Sequence, residues 1–108
     1  MFLQHLRAVI DYYRLDLSIY FWRTTSGLEV DYILYGGGGL FAFEIKSRSY
    51  IERKDFKGLV AFQADYPITH CYLIYGGEFI EKHGNIQAIP IRHALFNLVD
   101  LLHDSGSR

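Results

Sequence analysis

The stretch LEVDYILYGGGGLFAFEIKS, residues 28–47, decides how this chain folds. Two runs rich in β-branched and aromatic residues, LEVDYILY and LFAFEIKS, are joined by Gly36, Gly37, Gly38 and Gly39. Four successive glycines make a poor element interior, but they reach the positive φ values that tight hairpin loops demand, so the stretch reads as an antiparallel hairpin. A loop centred between Gly37 and Gly38 gives one register whether it holds two residues or four: Asp31 opposes Glu44, and Glu29 opposes Lys46. The two-residue side-chain period puts these four on one face. It puts Val30, Tyr32, Leu34, Phe41, Phe43 and Ile45 on the other, which reads as core.

Working outward, Phe2, Leu3, Leu6, Val9, Ile10 and Tyr13 recur at spacings of three and four, predicting an amphipathic helix over residues 2–13. LSIYFW reads as a first strand ending near Trp22, and TTSG as a turn. Residues 52–64 fit a second helix, closed by Asp65, Tyr66 and Pro67. HCYLIY is a further strand, FIEKHGNIQAIP a hairpin of shorter ones, and a last helix runs from about Ile91 to Leu102. The order implies an α/β domain around a mixed central sheet flanked by helices.

A chain of 108 residues and 12.6 kDa suits one domain, residues 1–103, followed by a flexible polar tail, 104–108. Half the residues are hydrophobic, enough for a core, which excludes a disordered chain. Eleven Lys and Arg against twelve Asp and Glu leave a formal charge of -1, so nucleic-acid binding would need a local basic patch. The single cysteine, Cys71, sits in an apolar run and reads as a buried thiol, and the expected setting is reducing and cytoplasmic. No run approaches the ~18 apolar residues of a membrane span. The five histidines show no zinc-ligand spacing. No Ser, Thr, Asp or Asn precedes Phe2 as an N-cap, so the chain starts inside a helix. The apolar edge of Phe2, Leu3 and Leu6 is expected to need a cover from a homodimer partner or a missing upstream segment. Tyr12, Tyr20, Tyr32 and Tyr72 are expected to pack.

Two carboxylates facing each other across a hairpin repel, and something must offset that. A shared proton, a neighbouring cation or a divalent metal could do so. Lys46 lies two residues beyond Glu44 on the same face. A hard oxygen site with open positions suits Mg²⁺ (or Mn²⁺) and metal-assisted phosphodiester hydrolysis. Asp31 and Glu44 would hold the ion, with the Ile45 carbonyl as a further ligand. Lys46 would position or activate the attacking water and stabilise charge developing on the phosphate. Glu29 would be an auxiliary partner of Lys46. The pattern by itself also fits a solvated sheet face with a cross-strand ion pair. Arg48, Arg53, Lys54 and Lys57 form a local basic stretch, against Glu52 and Asp55, that could neutralise phosphates.

FWRTTSGLEVDYIL followed by FAFEIKSRS resembles the PD-(D/E)xK phosphodiesterase superfamily, with Asp31, Glu44 and Lys46 at the matching positions. The closer resemblance is to the uncharacterised C-terminal domain of archaeal and bacterial AAA-type ATPases. Trp22 and Arg23, the Ser26, Gly27, Glu29, Val30, Asp31 segment and Glu44 to Lys46 carry it, and it covers most of residues 6–66. The resemblance implies a restriction-endonuclease-like core, shortened at the N-terminus. It also implies a metal-dependent nuclease-like function on DNA or RNA, and places Gln63 where related nucleases have a polar helper and Arg23 among nucleic-acid contacts. The alternative it implies is a non-catalytic interaction or regulatory module detached from an AAA-type ATPase. Two departures stand out. The first helix offers only Gln4, His5 and Asp11 where nuclease members carry a further acid, and GGGG lacks the Gly-Lys-Ser/Thr of a phosphate loop.

Overall fold

The hairpin forms with the expected register in the computed structural model, which describes residues 1–103. The tail expected at 104–108 lies outside the described residues. Strand β2 (Glu29–Gly36) pairs antiparallel with β3 (Gly39–Ile45) through Tyr32↔Phe43, Leu34↔Phe41 and Gly36↔Gly39, so Gly37 and Gly38 make a two-residue turn. Asp16 ties that turn down: its Oδ2 accepts from the Gly37 N–H at 3.1 Å and its carbonyl from the Gly38 N–H at 3.0 Å. A Cβ on Gly36 would sit 2.3 Å from the Asp16 carbonyl oxygen, so the close approach of this loop requires glycine.

Strand β1 (Ser18–Arg23) lines the outer edge of β2. After β3 the chain makes a short 3₁₀ turn (Arg53–Phe56), helix α2 (Lys57–Asp65) and strand β4 (His70–Tyr75), which lies parallel to β3. Strands β5 (Glu81–His83) and β6 (Ile86–Pro90) form the second hairpin, and β6 is parallel to β4. The sheet is six-stranded and mixed, in the order β1-β2-β3-β4-β6-β5. The predicted last helix is interrupted: α3 (Ile91–Phe96) stops at Asn97, whose Nδ2 donates to the His93 carbonyl at 2.9 Å, and α4 (Leu98–Leu101) follows.

Both faces of the sheet are core. On one, Phe56, Leu59 and Phe62 pack on Val30, Ile33, Leu40 and Ala42. On the other, helix α1 (Phe2–Tyr12) joins α3 and α4 over Leu34, Phe41, Phe43, Ile74 and Ile89. For two of the three α1-edge residues expected to need a cover from a homodimer partner or an upstream segment, the cover is intramolecular: Phe2 and Leu6 are buried against the chain's own sheet, the Phe2 and Phe43 rings tilted at 53° with centroids 5.5 Å apart. Tyr32 and Tyr72 pack as expected. Tyr12 and Tyr20 are exposed, a correction to the sequence reading.

Strict alternation also fails at one place. Tyr20 pairs with Ile33 but Trp22 pairs with Val30, so Asp31 and Tyr32 together oppose the single residue Phe21. This β-bulge reverses the facing of everything before it. Val30 consequently packs under α2 with Ile33, not with Tyr32 and Leu34 as simple alternation predicts.

Candidate functional site

The bulge places Asp31 where β2 and β3 part company. The last paired residues are Tyr32 and Phe43. Beyond them the carboxylates replace main-chain carbonyls as acceptors: Asp31 Oδ2 accepts from the Ile45 N–H at 2.8 Å, and Glu44 Oε1 accepts from the Asp31 N–H at 3.1 Å. Each acid thus satisfies an amide that the widening fork would otherwise leave unpaired. In an extended strand the N–H and C=O of one residue point to the same side, so the Ile45 carbonyl faces β2, as its N–H does. The next amide, that of Lys46, donates to the Ile74 carbonyl at 2.8 Å on the opposite side.

Glu44 lies on the α2 side of β3 with only 11% of its side chain exposed, and its Oε2 meets Lys46 Nζ at 3.4 Å. Burial first, and the negative charge of Asp31 second, push its carboxyl up to about 6, against the opposing pull of Lys46. One ammonium therefore compensates the two acids only in part. Asp31 Oδ1 has no hydrogen-bond partner among the described residues. The fork thus offers one free carboxylate oxygen, a second carboxylate under desolvation and the Ile45 carbonyl on the β2 side, with Lys46 partly open to solvent. No cluster of three or more His, Cys, Asp or Glu side chains that could hold a metal occurs among the described residues. The donors at the fork are therefore two side chains and one carbonyl, which leaves room for water and phosphate in the shell of a hard cation. A cavity of about 330 Å³ opens beside Asp31, bounded by Phe21, Arg23 and Glu29. A larger one, about 870 Å³, lies between the Gly76–Ile80 loop and α3 and includes none of the three site residues.

The structure brings Asp31, Glu44, Ile45 and Lys46 together and disperses the other expected residues. Glu29 reaches Arg23 at 3.6 Å, both well exposed, and does not pair with Lys46; the bulge has rotated it away. Gln63 does not face the fork. It donates to the Thr69 carbonyl at 3.2 Å, at the opposite end of β4 from the residues paired with the site. Arg48 is engaged by Asp55 through two bonds of 2.9 and 2.6 Å. That guanidinium, aided by the Glu52 N–H, holds the Asp55 carboxyl at about 2, so Arg48 acts as a structural clamp more than a free phosphate ligand. Lys54 lies 3.5 Å from Glu52, both exposed, whereas Arg53 and Lys57 have no carboxylate partner among the described residues. The sequence reading missed His83, whose ring stacks on Phe56 at 4.4 Å and 9° beside those cations. Only the apolar neighbour Phe56 hinted at the contact, across 27 residues of sequence.

Among the described residues, no helix is long and apolar enough to cross a membrane. Comparison with curated proteins finds no match, and neither does comparison with solved structures. The six-stranded sheet, helices α1 and α2 and the acidic fork all lie within residues 1–94, the span matched by the family model described as a domain of unknown function (DUF4143), and the chain belongs to that family.

Proposed function

We propose that this domain is a PD-(D/E)xK-type, divalent-metal-dependent phosphodiesterase acting on nucleic acid, built on a restriction-endonuclease-like sheet. The observation that carries the reading is the buried Glu44 carboxyl, raised to about 6, facing Asp31 at the fork with the Lys46 amine 3.4 Å away. Such an acid pair is costly in an ordinary sheet and suited to receiving a cation. Asp31, Glu44 and the Ile45 carbonyl would hold Mg²⁺ or Mn²⁺. A bound ion would supply an acidified water and neutralise charge at phosphorus.

The chain's own groups do the rest. Lys46, held 3.4 Å from Glu44, donates to the attacking water or to a phosphate oxygen, orienting the first and stabilising charge on the second. The water gives up one proton to bulk solvent as its oxygen bonds to phosphorus and the opposite P–O ester bond breaks, and the leaving oxygen takes a proton from solvent. Asp31 keeps its position through the Ile45 N–H, which engages Oδ2 and leaves Oδ1 available.

The test is incubation with single-stranded, duplex and branched DNA in Mg²⁺ or Mn²⁺, alongside Lys46→Ala. Metal-dependent cleavage that disappears in the variant is expected. Absence of cleavage, together with a melting temperature indifferent to metal, sinks the proposal.

A second reading is a non-catalytic interaction module of an AAA-type ATPase. The family match favours it, since these domains are associated with the C-terminal regions of such ATPases. The mutual bonds of Asp31 and Glu44 give both acids a structural purpose without turnover. Co-sedimentation with an AAA-type ATPase module, unaffected by Lys46→Ala, is the outcome this reading requires.

A further inference from the structure

A second cleft lies along α2, beside the residue that precedes β2. Helix α2 rests on the first residue of β2 so closely that a Cβ on Gly58 would meet the Glu29 carbonyl oxygen at 2.1 Å. Leu28, the residue before that contact, forms one wall of a cavity of about 520 Å³. This volume is in the range of small-ligand sites, about 300–1,000 Å³. Every ionisable side chain lining it is basic: Arg53, Lys54, Lys57 and His83. Its floor is apolar, made by Phe56, Val60 and Ala61, with Val60 left 46% exposed. The stacked Phe56 ring covers one face of His83 and fixes it at the rim.

Cations around an apolar floor match an anion that carries a flat apolar body. We propose that this cleft is a subsite for one nucleotide unit of a single-stranded nucleic acid, its phosphate against Arg53, Lys57 and His83 and its base on Val60 and Ala61. The two free cations lie on one turn and the start of the helix that follows it, so they meet a phosphate together. The lining contains no acid to oppose a backbone phosphate, and apolar contact with the face of a base carries no hydrogen-bond readout, so it is tolerant of sequence. The inference rests on the nucleic-acid reading above and gives it a path: a strand seated here continues past Leu28 to the fork.

The experiment measures binding without turnover. A short fluorescein-labelled oligothymidylate is titrated with the protein in EDTA, at two salt concentrations, and followed by anisotropy. Lys57→Glu is the main variant; the residue is exposed and begins α2, where a negative side chain suits the helix, and circular dichroism checks folding. It is expected to weaken binding about tenfold, and to lower the slope of log K against log salt by about 0.7, the share of one single-strand phosphate contact. Arg53→Glu is expected to act alike. Arg92→Glu, the same charge change on α3, is expected to leave binding intact. Equal binding by Lys57→Glu and wild type, or displacement of the oligonucleotide by oligoglutamate of equal length, overturns the subsite. Metal-free binding with these properties but no cleavage in Mg²⁺ or Mn²⁺ overturns the phosphodiesterase reading and supports the subsite. Cleavage without the Lys57 effect does the reverse.

Discussion

Replacing Glu44 by Gln tests the electrostatics of the fork directly. Burial and Asp31 move the Glu44 carboxyl from 4.5 to about 6, so the folded state holds that proton more tightly than the unfolded state does. At about 1.4 kcal/mol per pH unit, ionised Glu44 costs the fold about 2 kcal/mol. A raised carboxyl gives the sign: the protein is favoured below about pH 4.5, where both states are protonated, and loses this stability as pH rises through 4.5 towards 6. Gln keeps an acceptor for the Asp31 N–H, and Lys46, 30% exposed, can turn its amine to water. Urea unfolding of wild type and Glu44→Gln from pH 4 to 8 reads the difference. The variant is expected to gain up to about 2 kcal/mol over wild type between the acid and neutral ends of the series, with the change concentrated between pH 4.5 and 6. Asp55 titrates lower and is common to both proteins, so it cancels. A difference that stays flat across the series, or a variant that becomes relatively weaker towards pH 8, would refute the claim that Glu44 is held ionised against its surroundings.

Two other substitutions probe the scaffold. Asp55→Ala leaves Arg48 without its two-bond partner and the Glu52 N–H without its acceptor, and is expected to cost about 2–3 kcal/mol in urea unfolding, below the full loss for a buried pair because Arg48 remains 29% exposed. Since the Asp55 carboxyl is held at about 2, its contribution is present above about pH 3.8 and disappears as pH falls towards 2, so the penalty should shrink in acid; a penalty constant with pH counts against the ion pair. Gly58→Ala gains about 1 kcal/mol of helix propensity yet drives a Cβ into the Glu29 carbonyl, and a lowered melting temperature is expected. A melt unchanged or raised by that substitution would show that α2 does not press on β2.

The parts of this molecule that follow from local spacing were legible in its sequence. The four glycines fixed the hairpin's register, and through it the approach of Asp31 to Glu44, because a turn centred on Gly37 and Gly38 admits one pairing. The helical period of Phe2, Leu6 and Val9 marked α1 to within a residue. What escaped depends on contacts distant in sequence or on irregular backbone. A bulge leaves no residue signature, so Val30 was placed on the wrong face and Glu29 beside the wrong cation. The capture of Arg48 by Asp55 needs the 3₁₀ turn, which reads like ordinary helix. The break at Asn97 lies inside an unbroken apolar period.

The mutual hydrogen bonds at the end of the ribbon have a consequence for this family's history. Because each acid also rivets the main chain of the neighbouring strand, deleting either loosens the seam as well as any chemistry. A descendant that had lost all turnover would still have a mechanical reason to keep both. Persistence of the pair among relatives is therefore the signature of an intact seam, and activity must be read from Lys46, whose amine supports no backbone bond.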